Sequence, residues 1–370
     1  MTSLLGLVLM GCEARPVARC TQSDAVPIAH LAPDLESVSG GEAANALLRR
    51  LRGLSEEDSR LLLGQSAGHA DYLWAETHAY ATEGMEEAVG ARPAILQVDL
   101  GYAQPTPETT DQAVQDAIAH WNAGGLVTLS NHVANPITQG DIRDRSYPAE
   151  DFGLVLDPDS EAHARWLASL DAMAGPLGQL QDAGVVVLWR PFHEMNGSWW
   201  WYSTNRDDQW TAAEDFRALW RLSFERLTQE HGLDNLLWVY AANVQLGENV
   251  HDSAHFYPGD DWVDVVALDL YAPDLSEVDR CGSLNRLLAL DKPLGLAELG
   301  PDGSVAPGAW DASAVLELAE AEPRLVFATA WHDYETRLST STRAWHSNEN
   351  AQALVDDPLV LTLEDAPRGE

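Results

Sequence analysis

Short runs of apolar residues recur eight times between residues 61 and 330, and segments with helical spacing separate them. A strand in a parallel sheet is covered on both faces, so it reads as consecutive rather than alternating apolar residues. The pattern predicts an α/β fold, a (β/α)8 TIM barrel of parallel strands surrounded by helices. The runs cover residues 61–65, 94–99, 125–130, 185–189, 236–240, 263–268, 294–297 and 325–330, and the clearest helical segments cover 110–123, 161–183, 212–231 and 312–321.

A doubly wound open sheet is the alternative arrangement of the same elements. That fold commonly binds a dinucleotide at a glycine-rich turn that follows a strand. The glycine pair in this chain, Gly124-Gly125, precedes its strand instead. The barrel is therefore the favoured prediction.

Two glutamates follow apolar runs, Glu194 after the fourth and Glu298 after the seventh. In a barrel the carboxyl ends of all strands meet at one face, so these carboxyl groups should approach each other. Hydrolysis of a glycosidic bond uses two such groups, and aromatic rings bind the apolar faces of sugars. Trp199, Trp200 and Trp201 follow Glu194 after four intervening residues. We expect at most two of these rings to face the cleft and the third to lie in the core.

Other polar and aromatic residues also follow the predicted strands. Some of them, including Gln65, Asp99, Asn243 and Asp269, are as well suited to fastening loops to the barrel rim as to binding. His193-Glu194 could suggest a metal pair, but no second histidine stands at the spacing of a zinc protease helix. We therefore predict no metal and no other cofactor. The remaining strand-end residues are His69, Asn131, His132, Tyr271, Trp331 and His332.

The formal net charge of −36 constrains the partners of the chain. Such a surface repels nucleic acid and anionic membranes, because both carry dense negative charge. A neutral polysaccharide is not repelled.

The first residues are typical of an exported bacterial protein. Residues 4–10 are apolar but too few to span a bilayer, and they end at Gly11-Cys12 as in a lipoprotein signal. The absence of Lys and Arg before them departs from that pattern. We predict a signal peptide at 1–12, a linker at 13–40, a catalytic domain at 41–360 and an acidic tail at 361–370. The protein would be extracellular or anchored at the cell surface through a lipidated Cys12, and Cys20 and Cys281 either pair or remain thiols.

Several motifs together resemble glycoside hydrolase family 26, a clan A family whose best-known members are endo-β-1,4-mannanases. Clan A enzymes carry one carboxylate after the fourth strand and one after the seventh, and family 26 places His, here His193, before the first. The resemblance spans about residues 60 to 350. Its motifs are Arg190-Pro191-Phe192-His193-Glu194, Asn196-Gly197-Ser198-Trp199, Asn131-His132 with Asn135-Pro136, Asp269-Leu270-Tyr271, Ala297-Glu298-Leu299-Gly300 and Ala330-Trp331-His332.

The resemblance implies a role for each matching residue. Glu298 would be the nucleophile and Glu194 the acid/base, with the carboxyl groups about 5 to 5.5 Å apart as in retaining enzymes. Tyr271 would hydrogen-bond Glu298, and Arg190 would brace the site. His132 and His193 would contact the reacting sugar, Trp331 would stack beneath it, and Trp199 and Trp201 would serve neighbouring subsites. Asn131 would support the site beside His132, but it departs from the family pattern, in which many members have Trp at this position. One stacking contact with the sugar is therefore in doubt.

The substrate is less constrained than the reaction. The resemblance implies a retaining endo-β-1,4-mannanase acting on mannan or a related β-glycan. The family also contains mixed-linkage β-1,3-1,4-glucanases and β-1,3-xylanases with the same catalytic motifs. A catalytically silent carbohydrate-binding lipoprotein is the alternative from another class, but it predicts the loss of a carboxylate. We expect a monomer.

Overall fold

A closed eight-stranded parallel barrel forms the centre of the computed structural model, which describes residues 36–55, 60–100, 107–335 and 340–365. The first and eighth strands pair with each other, for example at Leu62 and Phe327, and this closes the sheet. The predicted (β/α)8 barrel is therefore confirmed. The strands are β1 Leu61–His69, β2 Ile95–Asp99, β3 Leu126–Ser130, β4 Val187–Arg190, β5 Leu236–Asn243, β6 Val265–Tyr271, β7 Leu294–Gly300 and β8 Leu325–Ala330.

Helices cover the outside of the barrel. The longest, α5, begins where the Ser160 hydroxyl accepts a hydrogen bond from the His163 amide, a standard N-cap. After α6 the chain continues as a π-helix over Glu225–Glu230. The helices are α1 Glu42–Gly53, α2 Trp74–Ala79, α3 Met85–Val89, α4 Pro107–Asn122, α5 Glu161–Asp182, α6 Ala213–Phe224, α7 Ser283–Leu288, α8 Ala314–Ala321 and α9 Ala351–Val355.

Successive side chains along each strand point alternately outward and inward, and this divides the core into two layers. Leu61 and Leu63 of β1 belong to the layer shared with the outer helices, whereas Leu62 between them belongs to the inner one. Successive strand residues point to opposite faces, so this division follows directly from the pleat. Leu47 and Leu51 of α1 pack with the inner layer. Helix α1 therefore closes the end of the barrel where the strands begin.

Both ends of the described chain are fastened to that closed end. The Val38 amide donates to the Asp264 carboxylate at 2.7 Å, just before β6 begins. A short strand, Val360–Leu361, pairs with the first residues of β1, and the Leu363 amide donates to the Arg92 carbonyl. The domain boundaries stay a prediction, but contacts with the barrel extend beyond 41–360 at both ends. Residues 36–40 are docked on the barrel rather than forming free linker, and the predicted tail at 361–370 begins as part of the sheet.

The other N-terminal predictions lie outside the described residues. These are the signal peptide at 1–12, most of the linker, and Cys12 and Cys20. Cys281 is disulfide-bonded, but its pairing with Cys20 stays a prediction. Among the described helices, none combines the length and the apolar character needed to cross a bilayer.

Two further short strands form a hairpin beyond β8. They are β9 Tyr334–Glu335 and β10 Thr340–Ser341, and they pair antiparallel. The hairpin stands at the open end of the barrel, where Tyr334 borders the cleft described below.

Candidate active site

A cleft of about 560 Å³ opens at the carboxyl ends of the strands. Glu194 and Glu298 both line it, and both side chains are buried apart from the part that faces the cleft. A second cavity of about 550 Å³ lies at the opposite end, between α1 and the residues around Gly124, and no carboxylate lines it. The pair of glutamates that the sequence singles out therefore belongs to the first cleft.

Glu194 sits in a strained turn directly after β4. Its φ of 53° falls in the left-handed region, which costs a non-glycine residue about 1 to 2 kcal/mol. The turn is held by the Glu194 amide, which donates to the Ala241 carbonyl at 2.8 Å. Strain of this kind concentrates at functional sites, where the surrounding structure enforces it.

Glu298 lies inside β7 and accepts two hydrogen bonds that suit an ionised carboxylate. Arg190 donates from Nη2 to Oε1 at 2.9 Å, and the Tyr271 hydroxyl donates to Oε2 at 3.0 Å. Arg190 is fully buried and also lies 3.7 Å from Asp269. Burial and the charge of Glu298 raise the pKa of Asp269 well above its usual range. Because Asp269 thus tends to be protonated and neutral, the positive charge of Arg190 stabilises mainly the carboxylate of Glu298.

Glu194 has a different environment from Glu298. Its oxygens accept hydrogen bonds from the Asn243 amide at 2.7 Å and from the Trp199 indole at 2.6 Å, and both donors are neutral. Burial and then the charge of Glu298 raise the pKa of Glu194 to about 7, although these two hydrogen bonds act against the shift. One carboxyl group is thus braced by a cation while the other tends to keep its proton. Such pairs mark acid and nucleophile in enzymes that use two carboxylates.

Three histidines gather on the β1–β4 side of the cleft. Asp99, at the end of β2, accepts a hydrogen bond from the Ser130 hydroxyl at 2.6 Å and lies 2.7 Å from Nδ1 of His132. His69 lies 3.3 Å from the other Asp99 oxygen. Burial by itself would raise the pKa of Asp99, but His132 and His69 hold it well below its usual range. Asp99 therefore remains charged and orients both imidazoles.

His193 packs edge-on against His132, with the ring centroids 4.5 Å apart. Burial, together with the neighbouring His132 and Arg190, lowers the pKa of His193 well below its usual range. It is consequently neutral at physiological pH. Its backbone carbonyl accepts a hydrogen bond from the Tyr202 hydroxyl at 2.8 Å, which fixes this segment.

Trp331 follows β8 and forms part of the cleft wall with His69 and His332. The ring centroids of Trp331 and His69 are 5.8 Å apart, and those of Trp331 and His332 are 4.8 Å apart. Burial above all lowers the pKa of His332 to about 3, so this ring is neutral. The indole is 7% exposed, and contacts hold it in place from two sides.

Most residues that the sequence singles out meet in this cleft. His132, His193, Glu194, Tyr271, Glu298 and Trp331 line it, and Arg190 lies beneath Glu298. Trp199 reaches the site through its hydrogen bond to Glu194. Asn131 does not reach it, because its side chain is buried and contacts Met173 of α5.

The prediction that Trp201 serves a subsite was wrong. Its side chain is fully buried, its indole donates to the Val133 carbonyl at 3.1 Å, and its amide donates to the Ile142 carbonyl. Trp200 lines the cleft instead, with its ring centroid 5.2 Å from that of His132.

Sequence reasoning did not find the cleft residues that stand on loops. Arg343 lies over the Tyr271 ring at 4.0 Å and Arg143 over the Trp200 ring at 5.6 Å, so each cation supports an aromatic wall. Tyr72, Leu73 and Tyr334 also border the cleft. None of them stands directly at the end of a barrel strand or in a recognisable motif, so the sequence offers little signal for them.

Comparison with known proteins agrees with this geometry. A model of glycosyl hydrolase family 26 matches residues 42–365. A mannan endo-1,4-beta-mannosidase A and B of Caldalkalibacillus mannanilyticus is 34% identical over 327 residues, covering 85% of this chain and 60% of its own length. A mannan endo-1,4-beta-mannosidase of Bacillus subtilis is 29% identical over 317 residues, covering 83% of this chain and 82% of its own length. The chain thus spans less than two thirds of the first relative.

Solved structures agree as well. The mannanase BCman of Bacillus subtilis superposes with a TM-score of 0.75 at 27% identity, covering 89% of this chain and 95% of its own. The YdhT protein of Bacillus subtilis gives a TM-score of 0.76 at 26% identity, with the same coverage.

Proposed function

The chain belongs to glycosyl hydrolase family 26, and on that basis we propose that it is a retaining endo-β-1,4-mannanase. The observation that carries the mechanism is the contrast between the two carboxyl groups. Glu298 accepts hydrogen bonds from a guanidinium and a phenol, whereas Glu194 is buried beside that negative charge and has a pKa of about 7. The first arrangement suits a nucleophile and the second a proton donor.

In the first step a Glu298 oxygen attacks the anomeric carbon while Glu194 gives its proton to the departing glycosidic oxygen. The C–O bond to the leaving sugar breaks and an ester to Glu298 forms. Arg190 and Tyr271 hold the attacking carboxylate in one orientation, so little of its motion has to be frozen during reaction. His132 and Trp331 lie where they would contact the sugar that becomes attached.

The second step reverses the role of Glu194. The charge of Glu298 is one cause of the raised pKa of Glu194, and that charge disappears once Glu298 is esterified. The pKa of Glu194 should therefore fall in the intermediate, leaving a carboxylate that removes a proton from water. Water then attacks the same anomeric carbon, the C–O bond to Glu298 breaks and releases its carboxylate, and the product keeps its configuration.

The pH dependence of kcat/KM should expose the proton on Glu194. Below about 7 the group carries its proton in the free enzyme, and above about 7 it loses it, so kcat/KM should decline with a midpoint near pH 7. Trp199→Phe keeps an aromatic ring but removes the indole donor, which acts to lower the pKa. The midpoint should therefore move to higher pH in that variant. A profile that is flat to pH 9 in the parent enzyme would contradict the role of Glu194.

Mannan is the proposed substrate because the two relatives described above are both named mannan endo-1,4-beta-mannosidases. Galactomannan, mixed-linkage β-glucan and β-1,3-xylan should be offered in parallel, with product sizes followed over time. Release of a range of manno-oligosaccharides from galactomannan supports internal cleavage of mannan. Faster hydrolysis of either other polymer would overturn the substrate proposal and leave the mechanism intact.

We further propose that the protein is exported and works outside the cell. The apolar residues 4–10 before Cys12 and the −36 net charge support this. Fractionation of the native host, with metabolic labelling by a fatty acid, separates the outcomes. Label that is lost in a Cys12→Ala variant supports lipid anchoring, and enzyme in the medium without label supports simple secretion. Enzyme retained in the cytoplasm contradicts export.

A further inference from the structure

His69, Asp99 and His132 form a compact group at the edge of the catalytic cleft. They come from the ends of β1 and β2 and from the residues after β3, so three neighbouring strands bring them together. One ligand atom from each residue can be chosen so that all three atoms lie within 4.8 Å of one another. Two imidazoles and one carboxylate in this arrangement are donors suited to a divalent transition metal.

We propose that this group binds a zinc-class cation, and that the bound cation inhibits the enzyme by competing with the sugar. Imidazole nitrogen suits Zn²⁺, Cu²⁺ and Ni²⁺, whereas Mg²⁺ and Ca²⁺ prefer oxygen donors. The site would therefore discriminate between these two classes of ion. It supplies nothing to the hydrolytic reaction, which the two glutamates perform.

Two of the three separations between ligand atoms are near those of a zinc site, and the two imidazole nitrogens, which lie within 4.8 Å of each other, would draw together around the ion by up to about 1.5 Å. Zinc lies about 2.0 to 2.2 Å from nitrogen and oxygen ligands, which in a tetrahedral site places neighbouring ligand atoms about 3.3 Å apart. The His69 nitrogen is already 3.3 Å from one Asp99 oxygen. The His132 nitrogen, 2.7 Å from the other oxygen, has to withdraw by only about half an ångström. His132 remains partly accessible from the cleft, so the ion has a route of entry.

The position of the group explains why binding would inhibit. His69 and His132 both line the cleft, and His69 packs against Trp331, the proposed platform for the reacting sugar. A cation held there fixes His132 and carries its own water ligands into the space that a sugar ring needs. The net charge of −36 would also raise the local concentration of cations around the protein. The competition rests on the proposed function, but cation binding itself does not.

Calorimetric titration of the full chain with zinc chloride, after removal of trace metals, tests the binding. We expect one equivalent of Zn²⁺ to bind, and no saturable binding of Mg²⁺. His69→Gln removes one nitrogen ligand at a partly exposed position. Loss of a residue that merely hydrogen-bonds a metal ligand weakens metal binding about 10- to 100-fold, so loss of the ligand itself should weaken zinc binding at least as much. His255→Gln is the matched control, because His255 is exposed on the loop after β5 and stacks on His251. That variant should bind zinc as the parent does.

Initial rates with the best β-glycan substrate then test the competition. Zinc should raise the apparent KM and leave kcat unchanged, and the inhibition constant should weaken in His69→Gln by the same factor as the binding constant. A dissociation constant for zinc above about 1 mM, or one that is unchanged in His69→Gln, contradicts the proposed binding site. Zinc binding at the site with purely noncompetitive inhibition overturns the competition. Failure on mannan alone contradicts only the proposed substrate, because the titration contains none.

Discussion

Replacing Glu298 with alanine should abolish hydrolysis of every glycan and aryl glycoside substrate, a loss in kcat on the order of 10⁵-fold or more. The substitution removes the atom that forms the covalent bond, and no other described group takes the place of the carboxylate between Arg190 and Tyr271. Glu161→Ala is a matched control, since it removes a carboxylate that pairs only with Arg165 on the surface of α5. Its activity should equal that of the parent enzyme.

Glu194→Ala separates the two roles within the pair. On polysaccharide it should cost about 10²- to 10⁴-fold, the usual contribution of a general acid. An aryl glycoside with a good leaving group needs no proton, so formation of the glycosyl-enzyme should be nearly as fast as in the parent. Azide should then restore turnover and give a glycosyl azide of retained configuration. Equal loss in the Glu194 and Glu298 variants on the aryl glycoside would show that the roles are wrongly assigned.

A further large effect should come from Trp331→Ala. The indole lines the cleft and is held by His69 and His332, so it offers a fixed flat surface beneath the reacting ring. Contact with the flattened, oxocarbenium-like transition state should be stronger than with the ground state, so kcat should fall as well as KM rise. A loss of about 2 to 4 kcal/mol, on the order of 30- to 1000-fold in kcat/KM, is expected.

A control for the stability effect of removing an indole is Trp310→Ala. Trp310 is buried and packs against Trp345, outside the residues that line the cleft. That substitution should lower the melting temperature and leave the kinetics of the folded enzyme nearly unchanged. If Trp331→Ala behaves in the same way, Trp331 is a core residue and the platform role is wrong.

The barrel could be predicted from the sequence because its signal is local and repeated. Each strand is a short apolar run, and helix spacing between the runs is clear, as in α5, predicted at 161–183 and observed at Glu161–Asp182. The predicted ends of the strands were less accurate. Runs that were expected to stop at residues 240, 268 and 297 continue to Asn243, Tyr271 and Gly300, because polar side chains stay within the ladder when they face the cleft.

The pair of glutamates was predictable for the same reason, since strand order fixes which ends meet. The choice between Trp200 and Trp201 was not. Three consecutive indoles have no strand or helix period, and the path of the loop decides which one turns inward. Here the Tyr147 hydroxyl and the Ile142 carbonyl fasten the backbone of Trp201, which directs its ring into the core. Such contacts join distant parts of the chain, so no sequence window contains them.

The fastening of the described C-terminal end to the closed end of the barrel decides how the enzyme can be presented to an insoluble substrate. The last described residues contact the chain at Arg92, on the side opposite Glu194 and Glu298. A bead or an added protein attached directly after residue 365 would thus lie behind the barrel. The groove would face outward toward a polymer surface, and a long glycan could approach it without crossing the attachment.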